Sequence, residues 1–336
     1  MKEFDEIIKE LKNKIYRPVY FLMGEETYYI DLVTDYITKH VLTEAEKTFN
    51  QMQFYGKDSD VNTVINAARR FPMMANYQVV VLKEAQELKK IEELVHYIER
   101  PLKSTLLVIN YKYGTLDKRT KLYKALHSNN SFAMLESKKL YENQIPEWIV
   151  NFLKLHDYSI NAEASELIKE SLGNDLGKIS NELEKLILVI PEGIKQITKV
   201  HIERNIGVSK DYNNFELTKA IGQKNILKAN KIVDYFSKNP KASPFQVTIQ
   251  VLFSFFSKIL MFHFLIDKSK SSVASTLGIN PFFAQEYELA SKKYSPAKAV
   301  SIIAKIREYD LKSKGVGNSS ISESELLREL IYSILH

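Results

Sequence analysis

Residues 69–84 read RRFPMMANYQVVVLKE, and this stretch shows how the first half of the chain is organised. Its second part, residues 77–82, is an apolar run rich in valine, which is typical of a strand buried on both faces of a parallel sheet. Pro72 fixes its own φ angle and disfavours helical backbone at Phe71, so a helix is predicted to end just before this pair. The stretch therefore predicts a helix, a sharp break and a buried strand in succession.

The break carries two methionines, Met73 and Met74. Methionine side chains are flexible and polarisable, and they serve both as gap fillers in cores and as contacts on binding surfaces. Their spacing alone favours a place in the core, because large apolar side chains are more often buried than exposed. The residues themselves leave both interpretations open.

The same alternation of strands and helices extends over the first 136 residues or so. We predict strands at 19–23, 49–54, 77–82, 105–110 and 132–135. We predict helices at 1–16, 27–42, 60–70, 89–99 and 117–127, with Thr27 and Asp60 as the caps of two of them. Alternating strands and helices indicate a parallel α/β sheet with helices on both faces.

From residue 141 onward the patterns are helical only. We predict helices at 145–155, 162–172, 176–189, 198–206, 215–221, 226–236, 244–265, 281–293, 296–312 and 322–335. The fold class is thus α/β plus all-α. We expect three domains: an α/β domain (1–140), a small helical domain (141–210) and a larger helical domain (211–336).

Composition excludes several classes of protein. The 336 residues include no cysteine, so disulfides, catalytic thiolates and cysteine–metal sites are excluded. The net charge is +6, and residues 211–336 carry 17 Lys and Arg against 11 Asp and Glu. This is mild support for a polyanionic partner, but ordinary solubilising lysines are the favoured explanation of an excess of this size. The longest apolar stretch, 247–266, is interrupted by polar residues, so no membrane span is predicted and a cytoplasmic protein is expected.

The first predicted strand ends at Gly24, where a nucleotide-binding α/β domain carries its phosphate loop. Such a loop needs G-x-x-x-x-G-K-[ST] to cradle phosphates and magnesium. Residues 24–31 read GEETYYID, which lacks the second glycine, the lysine and the hydroxyl and adds two carboxylates that repel phosphate. The strand at 105–110 ends in Asn110 without an acidic pair for magnesium. Neither ATP hydrolysis nor a bound cofactor is therefore expected.

Other catalytic and binding motifs are weak. The seven histidines are scattered, without an H-E-x-x-H pair, and no G-x-S-x-G elbow occurs, so neither a metal site nor a catalytic triad is predicted. Residues 273–287, VASTLGINPFFAQEY, fit a helix-turn-helix. The second helix begins with Pro281, Phe282 and Phe283, which do not read base edges, so a packing corner is the favoured interpretation.

With this order of domains, the whole chain resembles the delta subunits of the bacterial DNA polymerase III clamp loader. The resemblance depends on the order and spacing of several segments. They are VYFLMGEETYYIDLVTDYI (19–37), RRFPMMANYQVVVLKEA (69–85), TLLVIN (105–110), DLGKISNELEKLIL (175–188), NFELTKAIGQKNILKANKIVDYF (214–236), LGINPFFAQEYELASKKYS (277–295), REYDLKSKG (307–315) and ELLRELIYSIL (325–335).

The resemblance implies a degenerate AAA+-like first domain that does not hydrolyse ATP, a small helical lid domain and a helical collar domain. It also implies that the protein binds and opens the beta sliding clamp by inserting an apolar pair into a pocket on the ring. By position that pair is Met73 and Met74, where the family pattern has a leucine and an aromatic residue, with Phe71 and Pro72 as supporting neighbours.

The resemblance further implies partners within the polymerase III holoenzyme. These are the delta prime and gamma/tau subunits of a hetero-pentamer, joined through collar helices at 296–312 and 322–335. Primer–template DNA inside the assembly is expected to meet basic residues, for which Lys312 and Lys314 are the candidates.

Two functions from other classes stay open at this point. One is an α/β ATPase with an unrecognised nucleotide site, against which residues 24–31 argue. The other is a DNA-binding regulator that uses the helix-turn-helix at 273–287, which would bind specific DNA sequences without any clamp.

Overall fold

The first part of the chain folds around a five-stranded sheet in which every pairing is parallel. The computed structural model describes residues 2–191, 193–206, 209, 211–240, 243–317 and 320–336. The strands are β1 (Val19–Gly24), β2 (Gln51–Tyr55), β3 (Gln78–Lys83), β4 (Thr105–Lys112) and β5 (Ala133–Ser137). They lie in the order β2-β3-β4-β1-β5, so β1 is flanked by strands that follow it much later in the chain.

Helices cover both faces of this sheet, which confirms the predicted α/β class. They are α1 (Lys2–Lys12), α2 (Thr27–His40), α3 (Glu44–Asn50), α4 (Val61–Ala68), α5 (Val95–Ile98) and α6 (Lys121–His127). One face packs Phe21, Val80 and Ile109 into a core with α4, α5 and α6. On the other face, the Thr34 hydroxyl of α2 donates a hydrogen bond to Asn110 Oδ1 at 3.0 Å.

Some element boundaries differ from the predicted ones. The helix predicted at 1–16 ends at Lys12, because Lys14 adopts a left-handed φ of 58° and breaks the helical path, which leaves Ile15 exposed. The helix predicted at 89–99 is a 3₁₀ turn (Ile91–Leu94) followed by α5, after another left-handed residue, Lys90. Helix α3, with a Thr43 capping box, was not predicted.

The rest of the chain is helical apart from one short ladder. Its elements are α7 (Ile145–Leu155), β6 (Ser159–Ile160), α8 (Ala162–Leu172), α9 (Leu176–Val189), β7 (Gln196–Ile197), α10 (Lys199–Ile206), α11 (Asn214–Gly222), α12 (Ile226–Lys238), α13 (Phe245–His263), α14 (Lys270–Leu277), α15 (Ala284–Lys293), α16 (Pro296–Ser313) and α17 (Glu323–Leu335). The ladder β6–β7 is an addition to the predicted elements, and α14 corresponds to the first helix of the helix-turn-helix pattern at 273–287. The predicted all-α character of this part is confirmed.

Helix α13 is the long apolar helix at the centre of this part. Its length and hydropathy would suffice for a membrane span. However, Leu252, Phe256 and Ile259 are fully buried in a core shared with α11, α12, α15, α16 and α17. Its apolar character is therefore accounted for by packing within the protein.

The chain divides into two compact units, Met1–Leu140 and Tyr141–His336. The further division at residue 210 stays a prediction, and Lys210 itself lies outside the described residues. Within the second unit, buried charges connect the helices before and after that point. Glu216 of α11 pairs with Lys199 of α10 at 2.7 Å and with Lys228 of α12 at 2.5 Å. Burial opposes ionisation of Glu216, but the two lysines outweigh it and lower its pKa.

A second carboxylate connects α8 to α11, and among the described residues it forms no ion pair. Glu170 of α8 accepts hydrogen bonds from the backbone N–H groups of Asn214 at 2.6 Å and Phe215 at 3.0 Å, at the N-terminus of α11. Burial of the carboxyl group raises the pKa of Glu170 to about 7, although these bonds act in the opposite direction. The folded protein therefore binds a proton here that the unfolded chain releases near its ordinary pKa of about 4.3.

Replacing this carboxyl group should change how stability depends on pH. Because the folded-state pKa is raised, the contribution of Glu170 to stability is complete below about pH 4.3 and is lost as the pH rises to about 7. Because one pKa unit corresponds to about 1.4 kcal/mol, we expect a loss of a few kcal/mol. Glu170→Gln should remove this pH-dependent loss, because an amide does not ionise in this range, although its single oxygen can accept only one of the two N–H groups. Urea unfolding at pH 5–8 measures it.

The matched control is Glu184→Gln on the exposed side of α9. It should keep the pH dependence of the wild type. If Glu170→Gln also kept it, the carboxyl group would be ionised in the folded state throughout this range.

Candidate functional site

The loop between α4 and β3 presents a cluster of apolar side chains to solvent. Phe71 is 76% exposed, Met73 is 61% exposed and Met74 is completely exposed, while Pro72 between them is half-buried. We call residues 71–74 the apolar tip. Of the two interpretations of the methionines, a place in the core is excluded. Phe49, near the end of α3, is also exposed. It directly precedes Asn50, whose side chain binds the backbone of the apolar tip.

Asn50 holds one side of the apolar tip. Its side chain is buried, and it makes two hydrogen bonds to the backbone of Met73. Asn50 Oδ1 accepts from the N–H of Met73 at 2.7 Å, and Asn50 Nδ2 donates to the Met73 carbonyl at 2.9 Å. The same amide nitrogen also donates to the carbonyl of Glu46 at 3.0 Å, which fixes its orientation. The Asn50 side chain therefore pairs with both the N–H and the carbonyl of Met73, as the backbone of a neighbouring β-strand would.

Gln78, the first residue of β3, holds the other side. Its buried amide Nε2 lies 2.5 Å from the carbonyl oxygen of Arg70 and 2.7 Å from the hydroxyl of Thr105. It also lies 3.1 Å from the carbonyl of Ala68, which accepts a hydrogen bond from Thr105 Oγ1 at 2.9 Å as well. The end of α4 is thus fastened to the starts of β3 and β4.

These contacts hold a conformation that the chain would not keep by itself. Met74 has a φ of 53°, in the left-handed region that side chains with a Cβ rarely adopt. Such a residue costs of order 1 kcal/mol and persists only where its surroundings fix it. An exposed methionine in this conformation, between two buried polar anchors, indicates a loop shaped for contact rather than for packing.

The apolar tip lies at the edge of the sheet where the strands begin. Ligands of open parallel sheets bind at the opposite edge, beyond the carboxyl ends of the strands. The degenerate phosphate loop after Gly24 is at that opposite edge. The two candidate regions of the first unit are therefore on opposite edges of one rigid sheet.

At the phosphate-loop position, other groups of the protein bind the backbone N–H groups that would otherwise face a nucleotide. Gly24 has a φ of 136°, and a Cβ there would lie 2.0 Å from the carbonyl oxygen of Ser137. The N–H of Glu26 donates to this carbonyl at 3.2 Å. The Glu26 carboxylate caps α2 by accepting from the N–H of Tyr28 at 3.1 Å. The prediction of Thr27 as the cap was wrong, because the chain enters the helix one residue earlier.

The cations expected to meet DNA are each paired within α16 or just after it. Lys312 Nζ lies 2.7 Å from Glu308 Oε1 and 4.6 Å from the centre of the Tyr309 ring. Lys314 Nζ lies 2.8 Å from Asp310 Oδ2. Carboxylates one turn earlier therefore compensate the charges of both lysines. Among the described residues, no group of three or more His, Asp or Glu side chains could hold a metal ion.

The segment 273–287 does contain two helices joined by a turn. Gly278 ends α14 in the left-handed conformation, and a 3₁₀ turn at Pro281–Phe283 leads into α15. The Asn280 side chain is used as the cap, accepting from the N–H of Phe282 at 2.9 Å, and Phe283 is buried. The second helix is therefore entered through Pro281, Phe282 and buried Phe283, with the Asn280 side chain used as a cap.

Sequence reasoning located the apolar tip but missed the two residues that shape it. The sequence gives no sign of the role of Asn50, because asparagine is common in the segments that connect helices to strands. Gln78 does give one, since it is a polar residue at the start of an otherwise apolar strand, and a buried amide needs partners.

The comparisons with known proteins agree with this architecture. Residues 20–136 match the family described as DNA polymerase III, delta subunit. The DNA polymerase III subunit delta of Bacillus subtilis (strain 168) is 27% identical over 97% of this chain and 94% of its own length. The solved structure of the Bacillus subtilis DNA clamp loader delta protein covers 99% of both chains with a TM-score of 0.55 and 24% identity, which supports the fold. The chain is thus similar to DNA polymerase III delta subunits, over residues 20–136 by the family model and along nearly its whole length by the Bacillus subtilis relative.

Proposed function

We propose that this protein binds the beta sliding clamp through the apolar tip and opens the ring so that it can be loaded on primed DNA. The observation that carries this proposal is the exposure of Phe71, Met73 and Met74 on a loop whose backbone is fixed by buried Asn50 and Gln78. A soluble protein that holds large apolar side chains in water on a rigid loop has a surface prepared for a partner.

The energetics suit an apolar pocket on that partner. Complete burial of a methionine side chain contributes roughly 1.5–3 kcal/mol, so the pair can supply several kcal/mol of binding free energy. Because the loop is already ordered, little conformational entropy is lost when it binds. Opening a ring requires more than affinity: the tip must bind the open form more tightly than the closed form, and the difference sets how far the equilibrium shifts.

We further propose that this subunit does not hydrolyse ATP. The Glu26 carboxylate and the carbonyl of Ser137 occupy the N-terminus of α2 and the loop before it, where phosphates would have to bind. Nucleotide chemistry would then belong to the gamma/tau subunits of a cytoplasmic hetero-pentamer that also contains delta prime. Contact of Lys312 and Lys314 with primer–template DNA stays a prediction that the observed ion pairs do not favour.

The two alternatives have less support. An unrecognised ATPase site would have to lie away from Gly24, and a DNA-reading helix would have to use the start of α15, where Asn280 is occupied as a cap. No observation specifically favours either function.

The test is a clamp that carries a fluorophore pair across one subunit interface. Addition of the protein without nucleotide should separate the pair, and ATP should show no binding to the isolated protein in a calorimetric titration. A clamp crosslinked shut at every interface should bind the protein at least tenfold more weakly. Absence of binding to the uncrosslinked clamp would refute the proposal, and equal binding to both rings would leave a clamp-binding protein that does not open it.

A further inference from the structure

Four basic side chains lie on the same edge of the sheet as the apolar tip. Arg69 and Arg70 follow α4 and directly precede the tip, while Arg100 and Lys103 flank the turn between α5 and β4. All four are exposed. We call them the basic rim.

Hydrogen bonds place the two halves of the basic rim side by side. Gln78 joins the carbonyl of Arg70 to the hydroxyl of Thr105, and its own N–H donates to the carbonyl of Ser104 at 2.9 Å. The guanidinium of Arg69 donates to the carbonyl of His96 at 3.3 Å, which brings it to the helical segment that leads into Arg100. The four cations therefore belong to one surface, which borders the tip.

Within the described residues, none of these four side chains forms an ion pair. Two other cations at this edge are compensated: Arg17 pairs with Glu10 at 2.6 Å, and Lys47 pairs with Glu44 at 2.5 Å. Glu99, also exposed, is the acidic neighbour of Arg100 and offsets part of the charge. A net positive surface of this kind attracts anionic groups over about one Debye length, roughly 8–10 Å at ordinary salt.

We propose that the basic rim binds carboxylates that border the apolar pocket on the partner protein, and that it accelerates the encounter with that partner. The proposal rests on the proposed function, since it names the chemistry of the surface around the same contact. A protein is favoured over a nucleic acid because the rim directly adjoins Phe71, Met73 and Met74. A phosphate backbone would leave these side chains in water, whereas a protein surface with a pocket and acidic border would bury them.

The test replaces all four rim residues with glutamine and measures association with the sliding clamp by stopped flow at 50, 150 and 500 mM NaCl. We expect the association rate constant to fall about tenfold at 50 mM salt and the difference to vanish at 500 mM, with a smaller change in dissociation. The matched control replaces Lys57, Lys83, Lys89 and Lys118, which lie toward the opposite edge, with glutamine. It changes the net charge equally and should keep most of the wild-type rate.

The outcomes separate the two proposals. If the wild type binds the clamp and the rim and control variants show the same salt dependence, the basic rim has no specific role and clamp binding stands. If the rim variant instead loses binding to duplex DNA while clamp association is unchanged, the rim belongs to a nucleic-acid site. If the wild type does not bind the clamp, both proposals fail. Thermal melting of each variant shows that it is folded, which we expect because all four side chains are exposed.

Discussion

The double variant Met73→Ala/Met74→Ala should lose at least 100-fold in affinity for the sliding clamp while its thermal stability stays within 1–2 °C of the wild type. The size of the loss follows from burial, since two methionine side chains contribute roughly 1.5–3 kcal/mol each and about 1.4 kcal/mol corresponds to tenfold in affinity. Stability should not change because both side chains are exposed in the free protein. Surface plasmon resonance and a thermal melt measure the two quantities.

A matched control for this variant is Met261→Ala, which removes another exposed methionine, on α13. It should bind the clamp as the wild type does. A double variant that also binds normally would leave the function possible but would move the contact away from the apolar tip. A double variant with a strongly reduced melting temperature would mean that the methionines pack in solution, contrary to their exposure here.

Much of the fold could be predicted because its signals are local. The valine-rich run of β3 and the apolar run of β4 are buried on both faces. Each can therefore be recognised as a strand from its own residues alone. Helices α7, α8 and α9 have the predicted bounds because a full apolar face and clear terminal residues coincide. The weaker predictions fail where a single left-handed residue, such as Lys90, interrupts an otherwise helical pattern.

The candidate site was predictable only in part, because its shape depends on contacts between distant residues. The sequence shows that Pro72 breaks the helix and that two methionines follow. It does not show whether they face the core, since that depends on Asn50, which is 23 residues earlier and binds the Met73 backbone. A contact between two residues so far apart leaves no periodic pattern in the sequence from which it could be predicted.

Asn50→Ala tests whether the tip must be held in place and not merely present. The substitution leaves the N–H and carbonyl of Met73 without their buried partner, which should cost about 1–3 kcal/mol of stability. The apolar tip keeps its composition but loses its fixed backbone. The entropy cost of ordering the tip must then be met on binding, which reduces the net binding free energy. We expect clamp affinity to fall about tenfold or more, because pre-ordering of a binding loop contributes on this scale. Chemical denaturation and surface plasmon resonance measure the two effects.

The control and a double-mutant cycle separate the role of Asn50 in the tip from a general loss of stability. Asn62→Ala, at an exposed position of α4, should change neither stability nor binding beyond about 0.5 kcal/mol. In the Met73→Ala/Met74→Ala background, Asn50→Ala should still destabilise the fold but should not weaken residual clamp binding further. Full additivity of the binding losses would contradict the proposal, because it would mean that Asn50 acts on the clamp by a route other than the two methionines. Coupled losses would instead mean that a buried asparagine and exposed methionines form one binding element, in which the first fixes the geometry and the second supply the apolar surface.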